Sequence, residues 1–184
     1  MPPRIPRPTF EQLDRAESRL SHWLAEFSRH TPTLWLFRVV SRLGDWPAWV
    51  AFALIQPLLH GNQGWLIAAH WGLTASVAAL IYRLLKTRLC RERPYITFTT
   101  IRCTMPPVDR YSFPSGHTLH AVMFSCLIGA TSPQLLPVVL PLAGLIAVSR
   151  VVLGLHYVSD VIVGALIGAI LAWCSGLAAL FIWG

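Results

Sequence analysis

After Arg110 the chain, through Gly184, carries only two charged side chains, Arg150 and Asp160. A charge set among hydrocarbon is costly unless it is paired or lines a polar cavity, so both are functional candidates. They sit in the stretch Ser149 to Asp160, Ser-Arg-Val-Val-Leu-Gly-Leu-His-Tyr-Val-Ser-Asp, which also holds His156. His156 and Asp160 stand four apart, so on a helix they share a face. A carboxylate on one imidazole nitrogen fixes the tautomer and leaves the other nitrogen to attack or carry a proton. The plain alternative is a buried Arg–Asp pair that only locks two helices, with the histidine beside it by chance.

Composition narrows the class. With 54% hydrophobic and 12% charged residues and a mean hydropathy of +0.54, the chain reads as a membrane protein. A net charge of +7 does not indicate nucleic acid, because the basic residues lie between long apolar spans and not along a soluble face. Cys90, Cys103, Cys126 and Cys174 show no Cys-x-x-Cys spacing, so neither a zinc site nor a redox pair is indicated. Cys126 and Cys174 fall in apolar spans, where they read as small packing residues. Cys90 and Cys103 share one loop and could pair. The first eight residues are rich in Pro and Arg and lack an apolar core, so no secretory signal is expected.

Residues 1–8 read as a flexible tail, and Thr9-x-x-Gln12 as a capping box opening a helix to about Ser28. Phe10, Leu13, Ala16, Leu20, Trp23, Leu24 and Phe27 form one stripe of that helix. Such a helix suits the membrane interface; a soluble helix packed on a partner or on the protein's own loops fits the pattern equally. Residues 1–30 therefore form one unit, and residues 31–184 a membrane-embedded domain. Apolar spans run from Leu43 to Leu59, Trp65 to Leu85, Thr118 to Ala130, Leu135 to Val152 and Val158 to Trp183. A crossing helix needs about 20 residues, which the third span reaches only by starting near Ser115. The expected fold is all-α: a polytopic transmembrane bundle of about five spans plus an amphipathic interfacial helix. Gly164, Gly168, Ala172 and Gly176 recur every four residues and form a ridge for close helix packing. That ridge serves packing within the chain as readily as a dimer, so the oligomeric state stays open.

The segment from Lys86 to Ser115 and the connection holding His156 fall on one side of such a bundle, and all Lys and Arg residues gather there or at its edge. By the positive-inside rule this face is expected to be cytoplasmic, although an anion-binding site would gather positive charge on either side; the expected location is a bacterial inner membrane. Three groups converge on it. Lys86 is followed seven residues on by Arg93-Pro94. Arg83, Arg88 and Arg91 nearby read as anchoring or snorkelling residues. Pro114-Ser115-Gly116-His117 ends where the third span begins. Its residues suit ordinary helix capping, or an anion site made by the free N–H groups of the helix start. The third group is the Ser149–Asp160 stretch.

Together these residues resemble the signature motifs of the type 2 phosphatidic-acid phosphatase superfamily, the integral-membrane lipid phosphate phosphatases. That family's motifs are Lys, six residues, Arg-Pro; Pro-Ser-Gly-His; and Ser-Arg, five residues, His, three residues, Asp. All three stand here intact and in order, from Lys86 to Asp160. The resemblance implies that His156 is the nucleophile that becomes a phosphohistidine, that Asp160 orients it, and that His117 protonates the leaving oxygen and then activates water. Lys86, Arg93, Ser115, Gly116 and Arg150 would hold the phosphoryl oxygens.

No cofactor and no metal are expected, since Glu92, Asp109 and Asp160 are too few acids for a two-metal cage. His22, His30, His60, His70 and His120 match no family position and read as interfacial or structural, although His120 could line the site. The expected partners are a lipid phosphate substrate and the bilayer. Phosphatidate, phosphatidylglycerophosphate, polyprenyl phosphates or diphosphates and lipid A phosphate are all chemically eligible. The alternatives are a phosphotransferase using the same histidine, or a non-catalytic lipid- or anion-binding membrane protein.

Overall fold

The computed structural model of the chain describes residues 10–183, with side chains to residue 180. Among the described residues the only β-structure is one isolated bridge, Glu92 with Tyr111; the rest is helix and loop. The helices are α1 (Glu11–Glu26), α2 (Thr31–Leu43), α3 (Trp46–Leu54), α4 (Gln56–His60), α5 (Asn62–Leu89), α6 (Pro94–Thr97), α7 (Gly116–Thr131), α8 (Leu136–Val152) and α9 (Val158–Trp183). The expected tail at residues 1–8 and the Thr9 end of the capping box lie outside the described residues.

Helix α7 is the centre of the bundle. Leu119, Ala121, Met123, Phe124, Leu127 and Ile128 are all buried, against α9, α8 and α5. Close approach to α9 is what the small-residue ridge provides. A Cβ on Gly164 would stand 2.6 Å from the Ser115 carbonyl oxygen, and one on Gly168 2.3 Å from that of Leu119. Ala172 is buried too, whereas Gly176 meets nothing within 4 Å. The ridge is thus used inside the chain over its first three positions. On the other flank Trp49 stacks on Phe124 at 5.0 Å, and Trp71 meets Phe124 edge-on at 5.9 Å.

The outer surface is apolar. Leu73 and Leu80 on α5, Val138 and Leu140 on α8, and Ile162, Leu166, Ile170 and Trp173 on α9 are all exposed. An apolar surface of this extent belongs against lipid. Among the described residues, three helices are long and apolar enough to cross a membrane: Asn62–Leu89, Pro133–Val152 and Val158–Leu180. The expected five crossings are not confirmed. The place of the first expected span is taken by α3 and α4, which break at Ile55. Pro57 in the first turn of α4 lacks the N–H that a continuous helix would use. Helix α7, the third, has 16 residues, roughly 24 Å at 1.5 Å per residue, and is sheathed by its neighbours.

Helix α1 turns its polar side inward. Asp14, Glu17, Ser21, Ala25 and Ser28 face the protein, whereas Leu13, Leu20, Trp23 and Phe27 are exposed. It packs on this protein's own α6 and α8, yet it leaves its apolar stripe uncovered. The two readings of the stripe are therefore combined: the protein holds the helix by its polar face, and the apolar face is free for the interface. One cysteine expectation needs correction: Cys126 and Cys174 are exposed on their helices and do not pack inside. The pairing left open between Cys90 and Cys103 is not formed, and both are free thiols.

Candidate active site

The polar residues that the bundle buries collect at one end. Lys86 is at the close of α5, Arg91 and Arg93 follow it, Arg150 is in the last turn of α8, His156 is in the turn after it, and Asp160 is in the first turn of α9; all are buried. Gly154 makes the α8–α9 turn possible: its φ is +74°, and a Cβ there would lie 2.7 Å from the Arg102 carbonyl oxygen. The turn thereby presses against the long 98–115 loop. The Arg150 carbonyl accepts the N–H groups of Leu155 and His156, each at 3.1 Å, and this fixes the histidine beneath Arg93.

A cavity of about 170 Å³ opens at this end. Lys86, Arg93, Gly116, His117, Arg150 and His156 line it, with Asp45, Tyr82, Asp109 and His120. Six of the eight expected site residues thus share one cavity. Asp160 stands behind His156. The Ser115 hydroxyl is bonded to Thr118 Oγ1 at 3.0 Å, away from the cavity, while its N–H donates to the Asp160 carbonyl at 3.0 Å. Gly116 is needed because the Tyr82 ring would lie 2.8 Å from a Cβ there. His120 lines the cavity with Nδ1 on the Gly116 carbonyl at 2.8 Å.

Arg93 Nη1 lies 3.3 Å from His156 Nε2 and donates to the Leu155 carbonyl at 2.8 Å. The guanidinium therefore faces one nitrogen of the imidazole, and Asp160 faces the other. Burial, followed by the charges of Arg93, Arg150 and Lys86, pushes the His156 imidazole well below its ordinary pKa. A neutral ring keeps the lone pair that nucleophilic attack requires.

The expected geometry of His156 and Asp160 is corrected in two respects. They do not share a helix, since His156 precedes the start of α9 at Val158. Their separation, 3.5 Å from Nδ1 to Oδ2, also exceeds a hydrogen bond, and Nδ1 has no partner. Asp160 Oδ2 instead accepts the Tyr157 N–H at 2.9 Å, and Oδ1 accepts Arg91 Nη1 at 2.6 Å. The Arg150–Asp160 lock does not form either: Arg150 Nη1 donates to Ser41 Oγ on α2.

Arg91 itself is the largest surprise. It does not snorkel; its side chain is 0% exposed. Its guanidinium bonds Asp160, Ser159 Oγ at 2.7 Å and Asp14 Oδ1 at 2.9 Å. Glu17 Oε1 lies 3.5 Å away, and the Tyr157 ring is 4.0 Å beneath. Burial disfavours its charge, but Asp160, Asp14 and Glu17 outweigh that and raise its pKa. The acidic inner face of α1 thus reaches the carboxylate behind His156 through one arginine.

Two acids complete the cavity. Asp109 accepts Lys86 Nζ and Tyr82 OH on Oδ2 at 2.8 and 2.9 Å, and Arg93 Nη2 on Oδ1 at 3.0 Å. Burial would raise this carboxyl, but hydrogen bonds and charge from Lys86 and Arg93 hold it below the ordinary value. Asp45 Oδ1 stands 2.8 Å from His117 Nε2. The sequence does carry a signal for Asp45: it is the one charged side chain between Arg42 and Arg83.

The PAP2 superfamily profile matches residues 65–182, more than half of the chain. This chain belongs to the PAP2 superfamily. It is 35% identical over 123 residues to a decaprenylphosphoryl-5-phosphoribose phosphatase of Mycobacterium tuberculosis, covering 66% of each chain. Against the protein of the same description from Mycolicibacterium smegmatis it is 35% identical over 136 residues, covering 69% of this chain and 68% of that one. The match spans about two thirds of the length of these relatives. Among solved structures, Aquifex aeolicus LpxE superposes with a TM-score of 0.76 at 23% identity, over 87% of this chain and 94% of that one. A transmembrane PAP2-type phosphatidylglycerolphosphate phosphatase from Bacillus subtilis gives 0.68 at 21% identity, over 96% and 89%. This PAP2 protein therefore has the fold of membrane-embedded relatives, and with its three apolar helices it is an integral membrane protein.

Proposed function

We propose that this PAP2 protein removes a terminal phosphate or diphosphate from a membrane lipid by way of a phosphohistidine, without a metal. One observation carries the reading: a buried His156 and a second histidine, His117, line one cavity with three cations, Lys86, Arg93 and Arg150. His156 Nε2 attacks phosphorus as the bond to the lipid oxygen breaks, and His117 gives that oxygen a proton. In the second half His117 takes a proton from water, whose oxygen attacks phosphorus, and the P–N bond breaks to restore His156. Lys86, Arg93, Arg150 and the Gly116 N–H at the start of α7 stabilise the phosphoryl charge. An incoming phosphate displaces Asp109 from Lys86 and Arg93, and these pairings are part of why neither acid in the cavity is taken as a metal ligand.

The apolar outer surface keeps the lipid tail in the bilayer while its headgroup enters at the cavity. The mycobacterial relatives favour a polyprenyl-linked phosphate as the substrate class. The positive charge on this end favours a cytoplasmic site; a cysteine placed at Asn62 is then labelled by an impermeant reagent from outside, and protection there refutes the orientation.

The deciding experiment is phosphate release in detergent with EDTA, from a panel of polyprenyl, diacylglycerol-type and lipid A phosphates. Wild type is expected to release phosphate and His156→Ala to lose it. Equal release by His156→Ala defeats the phosphohistidine, and phosphate transfer to an added alcohol in place of water identifies a transferase.

A further inference from the structure

Helix α3 begins with an aspartate that does not cap it. Asp45 occupies the N-cap position, with extended backbone (φ −73°, ψ 154°), yet makes no side-chain cap bond. Aspartate is favoured at N-caps because its carboxylate accepts a first-turn N–H. Here the carboxylate leaves those donors and meets His117 Nε2 at 2.8 Å. The α2–α3 turn is shaped around the imidazole as well. A Cβ on Gly44 would lie 3.2 Å from His117 Cδ2 and 2.9 Å from Ile146 Cγ2. Trp49 Nε1 donates to the Gly44 carbonyl at 3.1 Å, and the Trp49 ring stacks on Phe124 of α7. The turn is therefore pinned to the helix that carries His117.

From this geometry we infer that Asp45 is the positioning residue for His117, making a second Asp–His pair that serves the acid–base side of the reaction. The inference rests on the reading of His117 as general acid. Asp45 accepts the Nε2–H, which fixes the tautomer and leaves Nδ1 to give its proton to the lipid oxygen as the P–O bond breaks. The positive charge on the imidazolium before that transfer is stabilised across the Nε2–H bond.

Burial acts most strongly against a charged His117 ring, followed by Arg150 from α8, His120 from its own helix, Lys86 from α5 and Arg93 from the following loop. All of them disfavour a charged ring. Asp109 also lines the cavity, but Lys86, Arg93 and Tyr82 occupy it. Asp45 is thus the carboxylate that can offset four unfavourable neighbours. Burial raises its own carboxyl above the ordinary value, with Arg150 and Arg42 acting against that.

The test compares Asp45→Asn, Asp45→Glu and His117→Ala with wild type in detergent. Each is assayed on a long-chain alkyl phosphate and on p-nitrophenyl phosphate, whose leaving group needs no proton. Removing a general acid costs about 10²–10⁴-fold, so removing its orienting carboxylate is expected to cost about 10–100-fold in kcat/KM on the alkyl phosphate. On p-nitrophenyl phosphate the loss is expected within about threefold, because that reaction does not draw on the acid. The alkaline limb of the alkyl-phosphate pH profile shifts to lower pH in Asp45→Asn, since loss of a neighbouring carboxylate lowers the imidazolium pKa. Asp45→Glu, which keeps the charge, restores part of the rate.

An equal loss on both substrates, or an unshifted alkaline limb, overturns the inference and assigns Asp45 a structural role. If His117→Ala keeps its alkyl-phosphate rate, the general-acid reading falls first. If wild type hydrolyses neither substrate nor any lipid phosphate, the phosphatase reading itself fails.

Discussion

The two Asp–His pairs of the cavity are built in opposite ways. His156 and Asp160 are buried, 3.5 Å apart, and Asp160 is held by Arg91 and the Tyr157 N–H. His117 and Asp45 are 2.8 Å apart, with the Asp45 side chain 39% exposed at the cavity edge. The deep pair depends on a network of charges that runs through Arg91 to Asp14 and Glu17 on α1. The shallow pair depends on one turn, Gly44-Asp45, pinned by Trp49. Charges without water require several partners each, whereas a half-exposed carboxylate needs one. Under the proposed roles, rigidity is concentrated on His156, and freedom to exchange a proton with leaving group and water on His117.

If the deep pair orients the nucleophile, breaking it has the largest effect on rate. Asp160→Asn is expected to lower kcat by about 10³–10⁴-fold, as loss of the orienting carboxylate permits the wrong tautomer. Phosphate release from the best lipid of the panel measures it. The effect should exceed that of Asp45→Asn by at least tenfold, and equal losses would erase the contrast between the pairs.

Stability sharpens the comparison next. Arg91→Met leaves Asp160 buried without its cation, a change that costs about 3–5 kcal/mol. It is expected as a clear drop in Tm in detergent, together with loss of activity. Asp45→Asn, at a half-exposed site, should leave Tm within a degree or two. Further out, Asp14→Asn combined with Glu17→Gln keeps the hydrogen-bonding shape and removes the charge of α1. It should cost about 1.5–3 kcal/mol, the range for charge-assisted hydrogen bonds, less than Arg91→Met. A thermal melt of the three variants side by side gives the order, and an unchanged Tm in the α1 double variant would cut α1 out of the network.

The smallest effect concerns the anion cradle. Asp109→Asn frees Lys86 and Arg93, so inorganic phosphate should inhibit about 3–10-fold more tightly, equivalent to roughly 1 kcal/mol. Because the folded pKa of Asp109 is depressed below 3.8, its ion pairs are present above that value and are lost only as the pH falls through the still lower folded pKa. Phosphate inhibition of wild type should therefore show no inflection from Asp109 across about pH 5–8, and an inflection removed by Asp109→Asn would contradict the assignment.

Much of this site was legible because charges are rare in the sequence. Arg150 and Asp160 stood out against a charge-free background, and three motifs marked Lys86, Arg93, Pro114–His117 and His156 in advance. Six of those residues do line one cavity. Arg91 was legible as basic but not as buried, because a basic residue at a membrane edge and one sealed beneath a helix have the same local sequence. Asp45 was visible to the same charge census, yet it lies 72 positions before His117, and nothing local announces the pairing. The amphipathic pattern of α1 was plain, while the direction it faces was not. Its inward side is polar because Arg91 waits there.

The sequence by itself determined an all-helical membrane chain with phosphate chemistry, since hydrocarbon restricts both backbone and charge so severely that few other readings survive. Tertiary structure decided which apolar stretches become helices long enough to cross a membrane, since the chain breaks between α3 and α4 and α7 stops at 16 residues. It also decided the partners of the buried polar groups at this end: Arg91 for Asp160, Ser41 for Arg150, Asp109 for Lys86 and Arg93, and Asp45 for His117. Those choices require segments far apart in the chain to meet, and no spacing rule along a sequence encodes a distance in space.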